Sequence, residues 1–314
     1  MTEPALSLVT SLYASAPFLR EFHRRCTEAA RELTASYEIV LVNDGSPDES
    51  LRIALELHAQ DPHVRVIDLS RNFGHHKALM TGLAHARGAL VFLLDADLEE
   101  DPAWLRRFHD ALTTTGADVV YGVQDERKGG WLERTGGRLF FSVFNRMLAQ
   151  PIPANVVTAR LMTRRYVQAL VSHRERELCL AGLWVITGFD QRPLVVRKGD
   201  RGASTYTTRK RISVMAGAIT SFSNRPLVYI FQLGMTVMSL AAVAGSILLY
   251  RSLSGLIGVP GWASIMVSIW FLGGLIIFCV GVIGMYLARI FTEIKQRPYT
   301  IVRAEYGPGQ DSAP

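Results

Sequence analysis

The stretch VFLLDADLEEDP, Val91 to Pro102, runs four apolar residues into Asp95, Asp97, Glu99, Glu100 and Asp101. Carboxylates packed this closely repel one another, so they need either solvent or a cation. A D-x-D pair at the mouth of a buried strand suits a hard divalent ion with oxygen ligands, Mg2+ or Mn2+. Such an ion keeps some waters and takes its remaining ligands from substrate phosphates. On that reading the carboxylates of Asp95 and Asp97 are candidate ligands. The other reading of a lone D-x-D is a solvated turn, with Glu99, Glu100 and Asp101 complementing the dipole of the next helix. A second polar cluster, VNDGSPDES, also ends an apolar run, and alone it describes a tight turn and helix cap. A third, SRNFGHHK, follows the run VRVIDL.

The elements that must carry these clusters alternate along the chain. LSLVTSLY reads as a strand, and APFLREFHRRCTEAARELT has the helical spacing Phe18, Leu19, Phe22, Cys26, Ala29. YEIVLVN, VRVIDLS, ALVFLLDADL and ADVVYGVQ are strand candidates, separated by helical stretches closed or opened by Gly88 and Pro102. Alternation of this kind argues for a mostly parallel sheet with helices on both faces. Ligands of such sheets bind beyond the carboxyl ends of the strands, so the three clusters are expected on one rim. Between about Gly129 and Gly202 the pattern is less regular.

Apolar residues make up 49 % of the 314 and charged residues 20 %, unevenly spread. No charge lies between Leu227 and Tyr250, nor between Val259 and Ala288. Each run exceeds the roughly 20 residues that span a bilayer core, so both are expected to cross the membrane. Arg209, Lys210, Arg211 and Arg225 precede the first run; Arg289, Lys295, Arg297 and Arg303 follow the second; only Arg251 lies between. The positive-inside rule then places both termini and the amino-terminal region in the cytoplasm of a multi-pass inner-membrane protein. RKRISVMAGAITSF has the pattern of an amphipathic interfacial helix. MTEPALSLVTSLY lacks the basic leader of a signal peptide. The net charge of +6 comes with no basic-aromatic stripe, which favours membrane lipids over nucleic acid as the partner. Cys26, Cys179 and Cys279 are scattered, without metal-ligand spacing, as suits a reducing cytoplasm.

Taken together, YEIVLVNDGSPDES, SRNFGHHKALMTGLAHARG and LVFLLDADLEEDP resemble the successive motifs of family 2 glycosyltransferases with the GT-A fold. RGASTYTTRKRISVMAGAITSFSNRPL and the two apolar runs extend the likeness to the polyprenyl-phosphate branch, which includes the dolichyl-phosphate mannose synthases and bacterial undecaprenyl-phosphate sugar transferases. The resemblance implies a nucleotide-sugar donor, contacted by Asp44 and by the stretch from Thr10 to Tyr13, with Arg71, Asn72 and Asp95 close by, and a metal held by Asp95 and Asp97, with Asp97 as the direct ligand. It implies a polyprenyl phosphate acceptor near Arg201 and Ser204, with Asn155, Thr158 and Arg160 lining the acceptor side. Two departures stand out. TSLYASAP replaces a Pro-x-x-Asn-Glu pattern, and in NVVTARLM Thr158 stands where the family carries an acid. A threonine is no general base at neutral pH. A lipid phosphate, with a second pKa of about 6, needs none. A hydroxyl acceptor would need another carboxylate: Glu99, Glu100 or Glu177.

The expected organisation is an α/β GT-A catalytic domain over 1–206, an amphipathic helix over 207–225, a two-helix transmembrane hairpin over 226–290 and a cytoplasmic tail over 291–314. The expected function is inverting, metal-dependent transfer of a sugar from a nucleotide-sugar to polyprenyl (undecaprenyl) phosphate at the cytoplasmic face. Transfer to a hydroxyl of a lipid-linked glycan and an inactive membrane scaffold are the alternatives. A homo-oligomer is left open.

Overall fold

The computed structural model describes residues 3–124, 155–175, 178–199, 225–254 and 262–307. The first part alternates as the sequence pattern implies: β1 (Leu6–Leu12), α1 (Ala16–Arg31), β2 (Tyr37–Asn43), α2 (Ser50–Gln60), β3 (Val64–Leu69), α3 (His75–His85), β4 (Leu90–Leu93), α4 (Trp104–Thr115) and β5 (Val119–Gln124). The less regular stretch supplies β6 (Val156–Thr163), α5 (Arg164–Ser172), α6 (Leu180–Ile186) and β7 (Gln191–Val196). One sheet joins all the strands in the order β7-β5-β6-β4-β1-β2-β3-β8, where β8 is Val302–Tyr306. β1 is parallel to β2 and β4, and β2 to β3, whereas β6 runs antiparallel to β4 and β5. Every residue of β1, β2 and β3 is buried, as expected of strands covered on both faces.

The chain forms two compact units, and residues 297–307 belong to the one that contains the sheet. This corrects the expectation of 291–314 as a tail. Helix α8 (Trp262–Ile294) runs into that range, and Val302–Tyr306 then pairs antiparallel with β3. The strand was hidden because VRAEY is short and carries two charges. Both charges have partners in the sheet: Arg303 meets Asp68, and Glu305 meets Arg65.

The second unit contains α7 (Arg225–Leu253) and α8. Among the described residues, one helical stretch, Phe271–Ile294, is long and apolar enough to cross a membrane; a shorter apolar stretch covers Pro226–Val237. The large side chains of Ile276, Ile277 and Phe278 lie exposed on it. The expected amphipathic helix falls, apart from Arg225, outside the described residues.

At the amino-terminal ends of the strands a polar network is closed off from solvent. Glu38 accepts the Ser7 hydroxyl at 2.6 Å, the Arg87 amide at 2.7 Å and Arg65 Nη1 at 2.9 Å. Arg65 also donates to the His85 carbonyl and to Glu305. The network therefore joins β1, β2, β3 and β8. Removing one member of a buried ion pair strands the other, at a cost of roughly 3–5 kcal/mol. Arg65→Leu should lower stability by that order. The double variant Arg65→Leu/Glu38→Met should recover most of the loss, as read by thermal unfolding.

Candidate active site

β1, β2, β3 and β4 run the same way, so the loops that follow them share one rim, and three of those loops are tied together. After β2, the buried Asp44 carboxylate accepts the backbone N–H of Phe73 at 2.7 Å and of Gly74 at 3.0 Å. Burial pushes its pKa above the ordinary carboxylate value, and the two amides with the charges of His75 and Arg71 only partly counter this. Gly45 follows with φ +57°, and a Cβ there would lie 2.4 Å from the Asn72 nitrogen and 2.5 Å from the Arg71 carbonyl carbon. Glycine is required twice over, by backbone conformation and by the close approach. Arg71 and Asn72 are exposed, with the Arg71 guanidinium 4.1 Å above the Phe73 ring.

The loop after β1 is docked on the same turn. Ala14 N–H donates to Ser46 Oγ, Ser15 N–H to Ser50 Oγ and Ala16 N–H to Asp48 Oδ2. Hydrogen bonds from the Ser46 and Ser50 hydroxyls overcome the effect of burial and hold the Asp48 carboxyl at about 2. Tyr13 projects from this loop, 55 % exposed, whereas Thr10 is buried and its hydroxyl has no partner.

The carboxylate loop after β4 forms the centre. Asp95 Oδ2 accepts the Thr158 hydroxyl at 3.0 Å. Its other oxygen, Oδ1, is buried without a hydrogen-bond partner, although His75 Nε2 lies 3.4 Å away. The far side of that imidazole, Nδ1, is 2.8 Å from Ser11 Oγ. Glu100 is fully buried; it accepts the amide of Thr158 at 2.9 Å and of Asp95 at 3.3 Å, and Lys198 Nζ stands 3.2 Å away. Burial first, and the Asp95 charge second, push Glu100 up to about 7. Asp95 is held below the ordinary range by His75 and Lys198 against the effect of burial. His75 and Lys198 are both raised, because the neighbouring carboxylates outweigh burial.

Asp97 is part-exposed and accepts the Glu99 amide at 3.0 Å across Leu98, which has φ 63°. Asp101 Oδ1 accepts the Ala103 amide at 3.0 Å in the turn that leads into α4. The chemistry of Asp95 and Asp97 fits a divalent cation, and Asp95 Oδ1, which accepts no hydrogen bond, is an oxygen such an ion would satisfy. No group of three or more metal-ligating side chains is present among the described residues, so further ligands would come from water and substrate oxygens.

The structure therefore brings Asp95, Glu100 and Thr158 into one network, with Asp97 and Glu99 on the same loop and Asp44, Arg71 and Asn72 in the adjoining one. It encloses two residues that were expected to face ligands. Glu100 holds backbone amides rather than facing an acceptor. Arg160 is 1 % exposed, donates to the carbonyls of Thr158 and Val157 and stacks over Trp184. Burial pushes its guanidinium down to about 9. Asn155 adopts φ 61° in the turn entering β6, a conformation asparagine tolerates. Arg201, Ser204 and Glu177 lie outside the described residues. Ser11 lies within the expected Thr10–Tyr13 stretch, whereas His75 and Lys198 are outside the expected set. The GHHK at a helix start pointed to His75, but nothing in the sequence ties Lys198 to a loop a hundred residues earlier.

Comparison with known proteins gives these loops a context. The sequence model of Glycosyl transferase family 2 matches residues 7–171. A protein of Mycobacterium tuberculosis (strain CDC 1551 / Oshkosh), provisionally named as a glycosyltransferase, is 51 % identical over 96 % of this chain and 88 % of its own. The bactoprenol glucosyl transferase of Shigella phage SfII is 32 % identical over 96 % of this chain and 98 % of its own. Among solved structures, a mannosyltransferase from Pyrobaculum calidifontis in complex with GDP-Man and Mn2+ aligns over 94 % of this chain and 88 % of its own, at 16 % identity and a TM-score of 0.45.

The geometry around Gly45 gives a direct test. Gly45→Ala meets both the positive-φ penalty and backbone atoms that cannot retreat, a cost of about 1–3 kcal/mol for the conformation alone. The variant is expected to lose nucleotide affinity, measured by calorimetry, and to unfold at a lower temperature.

Proposed function

This chain belongs to glycosyl transferase family 2 and is a glycosyltransferase, and we propose that it moves a sugar from a nucleotide-sugar to polyprenyl phosphate. The observation that carries the proposal is the junction of two loops on one rim: the Asp95–Asp97 pair, whose Asp95 Oδ1 accepts no hydrogen bond and has the His75 imidazole 3.4 Å away, beside the Asp44–Gly45 turn closed on Arg71 and Asn72. In this reading the second loop pair receives the nucleotide and sugar, with Thr10 and Tyr13 at its border. Asp95 and Asp97 hold Mg2+ or Mn2+, which would neutralise the donor diphosphate as a leaving group. Thr158 and His75 fix the orientation of Asp95, and Glu100 fixes both Asp95 and Thr158 from behind.

The acceptor class is supported by what Thr158 and Glu100 are unable to do. Thr158 donates its only hydroxyl proton to Asp95, and Glu100 is enclosed. Neither is free to take a proton from an attacking hydroxyl. An ionised phosphate monoester has no proton to lose. Its oxygen attacks the anomeric carbon, the bond from that carbon to the diphosphate oxygen breaks, and the nucleoside diphosphate departs. A single displacement of this kind inverts the anomeric centre. Likeness to a bactoprenol glucosyl transferase across nearly the whole chain supports a lipid-phosphate acceptor, as does an apolar helix suited to meeting it in the bilayer. We further propose that α7 and α8 form a two-span anchor, with the sheet unit and both termini cytoplasmic and Arg201 and Ser204 near the acceptor phosphate. The product would be a lipid-linked sugar for cell-surface glycosylation. The intact carboxylate pair argues against an inactive scaffold.

Membranes containing the protein, supplied with undecaprenyl phosphate and a panel of labelled nucleotide-sugars, should yield a lipid product labile to mild acid. Transfer only to a preformed glycan would overturn the acceptor assignment. Chelation should abolish turnover, and Mg2+ or Mn2+ should restore it. Asp97→Asn should insert normally and fall by at least about 100-fold in rate, consistent with loss of an electrostatic group at the leaving diphosphate. A wild-type rate in that variant rules out its metal role.

A further inference from the structure

The segment that follows α8 is joined to the sheet unit at three places. Thr300 Oγ1 lies 2.8 Å from Thr81 Oγ1 on α3. Glu305 pairs with Arg65 near the start of β3. Between them, Arg303 Nε is 2.9 Å from Asp68 Oδ2, while its Nη2 lies 3.4 Å from Asp68 Oδ1 and 3.3 Å from the Leu69 carbonyl. The β3–β8 ladder shifts register between Asp68 and Leu69, and beyond the shift the Ser70 amide donates to the Ile301 carbonyl at 2.9 Å. β8 therefore braces the point where β3 gives way to the Ser70–Gly74 loop.

Asp68 passes this contact inward. Its side chain is 5 % exposed, and its Oδ1 accepts Asn43 Nδ2 at 2.8 Å. Asn43 Oδ1 in turn accepts the Ser46 amide at 3.3 Å. The backbone between Asn43 and Ser46 consists of Asp44 and Gly45, which meet Arg71, Asn72, Phe73 and Gly74. A continuous chain of polar contacts thus runs from Arg303 through Asp68 and Asn43 to the turn that carries Asp44. It does not pass through Asp95 or Asp97.

We propose that Arg303 is a positioning residue for the donor-binding rim. It acts through Asp68 and Asn43 to fix the Asn43–Ser46 turn. The physical reason lies in the unequal burial of the pair. Arg303 is 56 % exposed, so as a surface charge it contributes little to global stability. Asp68 is buried, and without the guanidinium its charge keeps only an amide partner. The carboxylate then relaxes toward water and releases Asn43, and the turn loses its hold from below. The effect falls on donor affinity and leaves the displacement step alone.

The kinetic half of the test rests on the donor reading given above; the exchange half does not. In Arg303→Met, hydrogen–deuterium exchange of the peptide spanning residues 43–49 should quicken by about threefold or more while β1 keeps its protection, a local rather than global opening. Donor KM should rise about 5- to 10-fold with kcat within about twofold, the pattern of lost binding with intact chemistry. Arg303→Lys keeps the charge without the two-pronged guanidinium and should restore part of both effects. Unchanged exchange at 43–49 overturns the proposal, and so does exchange that quickens equally across the sheet with a lowered melting temperature. If the wild-type protein turns over no nucleotide-sugar, the donor reading falls, and the exchange experiment still decides the role of Arg303.

Discussion

The enclosed carboxylate of Glu100 is the contact on which the rim depends. It sits where β4, β6 and the segment after β7 meet, and it takes an N–H from Asp95, an N–H from Thr158 and the ammonium of Lys198. Burying a carboxylate is costly unless donors surround it, and here the donors come from three separate parts of the chain. Their convergence lets Asp95 stand at a fixed height at the strand end with one oxygen left unsatisfied. The antiparallel β6 is essential to this. Only a strand inserted beside β4 brings residue 158 level with residues 95 and 100.

The parallel half of the site was legible in the sequence because each motif there follows a strand in a repeating unit. VNDGS, SRNFG and DAD are local patterns, and the alternation that carries them forces their loops onto one edge. What escaped depends on non-local packing. Glu100 looked like one acid among five, since sequence alone does not distinguish a carboxylate facing solvent from one facing the interior. Arg160 looked like an anion receptor because it is a lone arginine in a recognisable motif; its burial over Trp184 depends on how α6 packs, which no local pattern reveals. β8 escaped because five residues with two charges match no template until their partners on β3 are known.

Position 158 shows how a single side chain changes the chemistry a scaffold can support. A hydroxyl there donates to Asp95, whereas a carboxylate would compete with it for the same donors. The threonine makes the loop electrostatically quieter, with His75 and Lys198 answering the remaining acids. The same exchange removes a proton acceptor from the rim. Under the proposed reading, that favours nucleophiles that arrive already ionised.

The edge strand β8 has a consequence for how the protein is made. The sheet is assembled from the two ends of the chain, with α7 and α8 encoded between them. While the ribosome is still producing the apolar helices, β3 is an open edge, and Arg65 and Asp68 lack Glu305 and Arg303. The finished rim therefore exists only after α8 has been synthesised. Biogenesis orders the events: helix synthesis comes first, closure of the sheet second, and a fully braced Asn43–Ser46 turn last. A chain stalled or cleaved before residue 302 would carry VNDGS, SRNFG and DAD without the strand that completes its sheet.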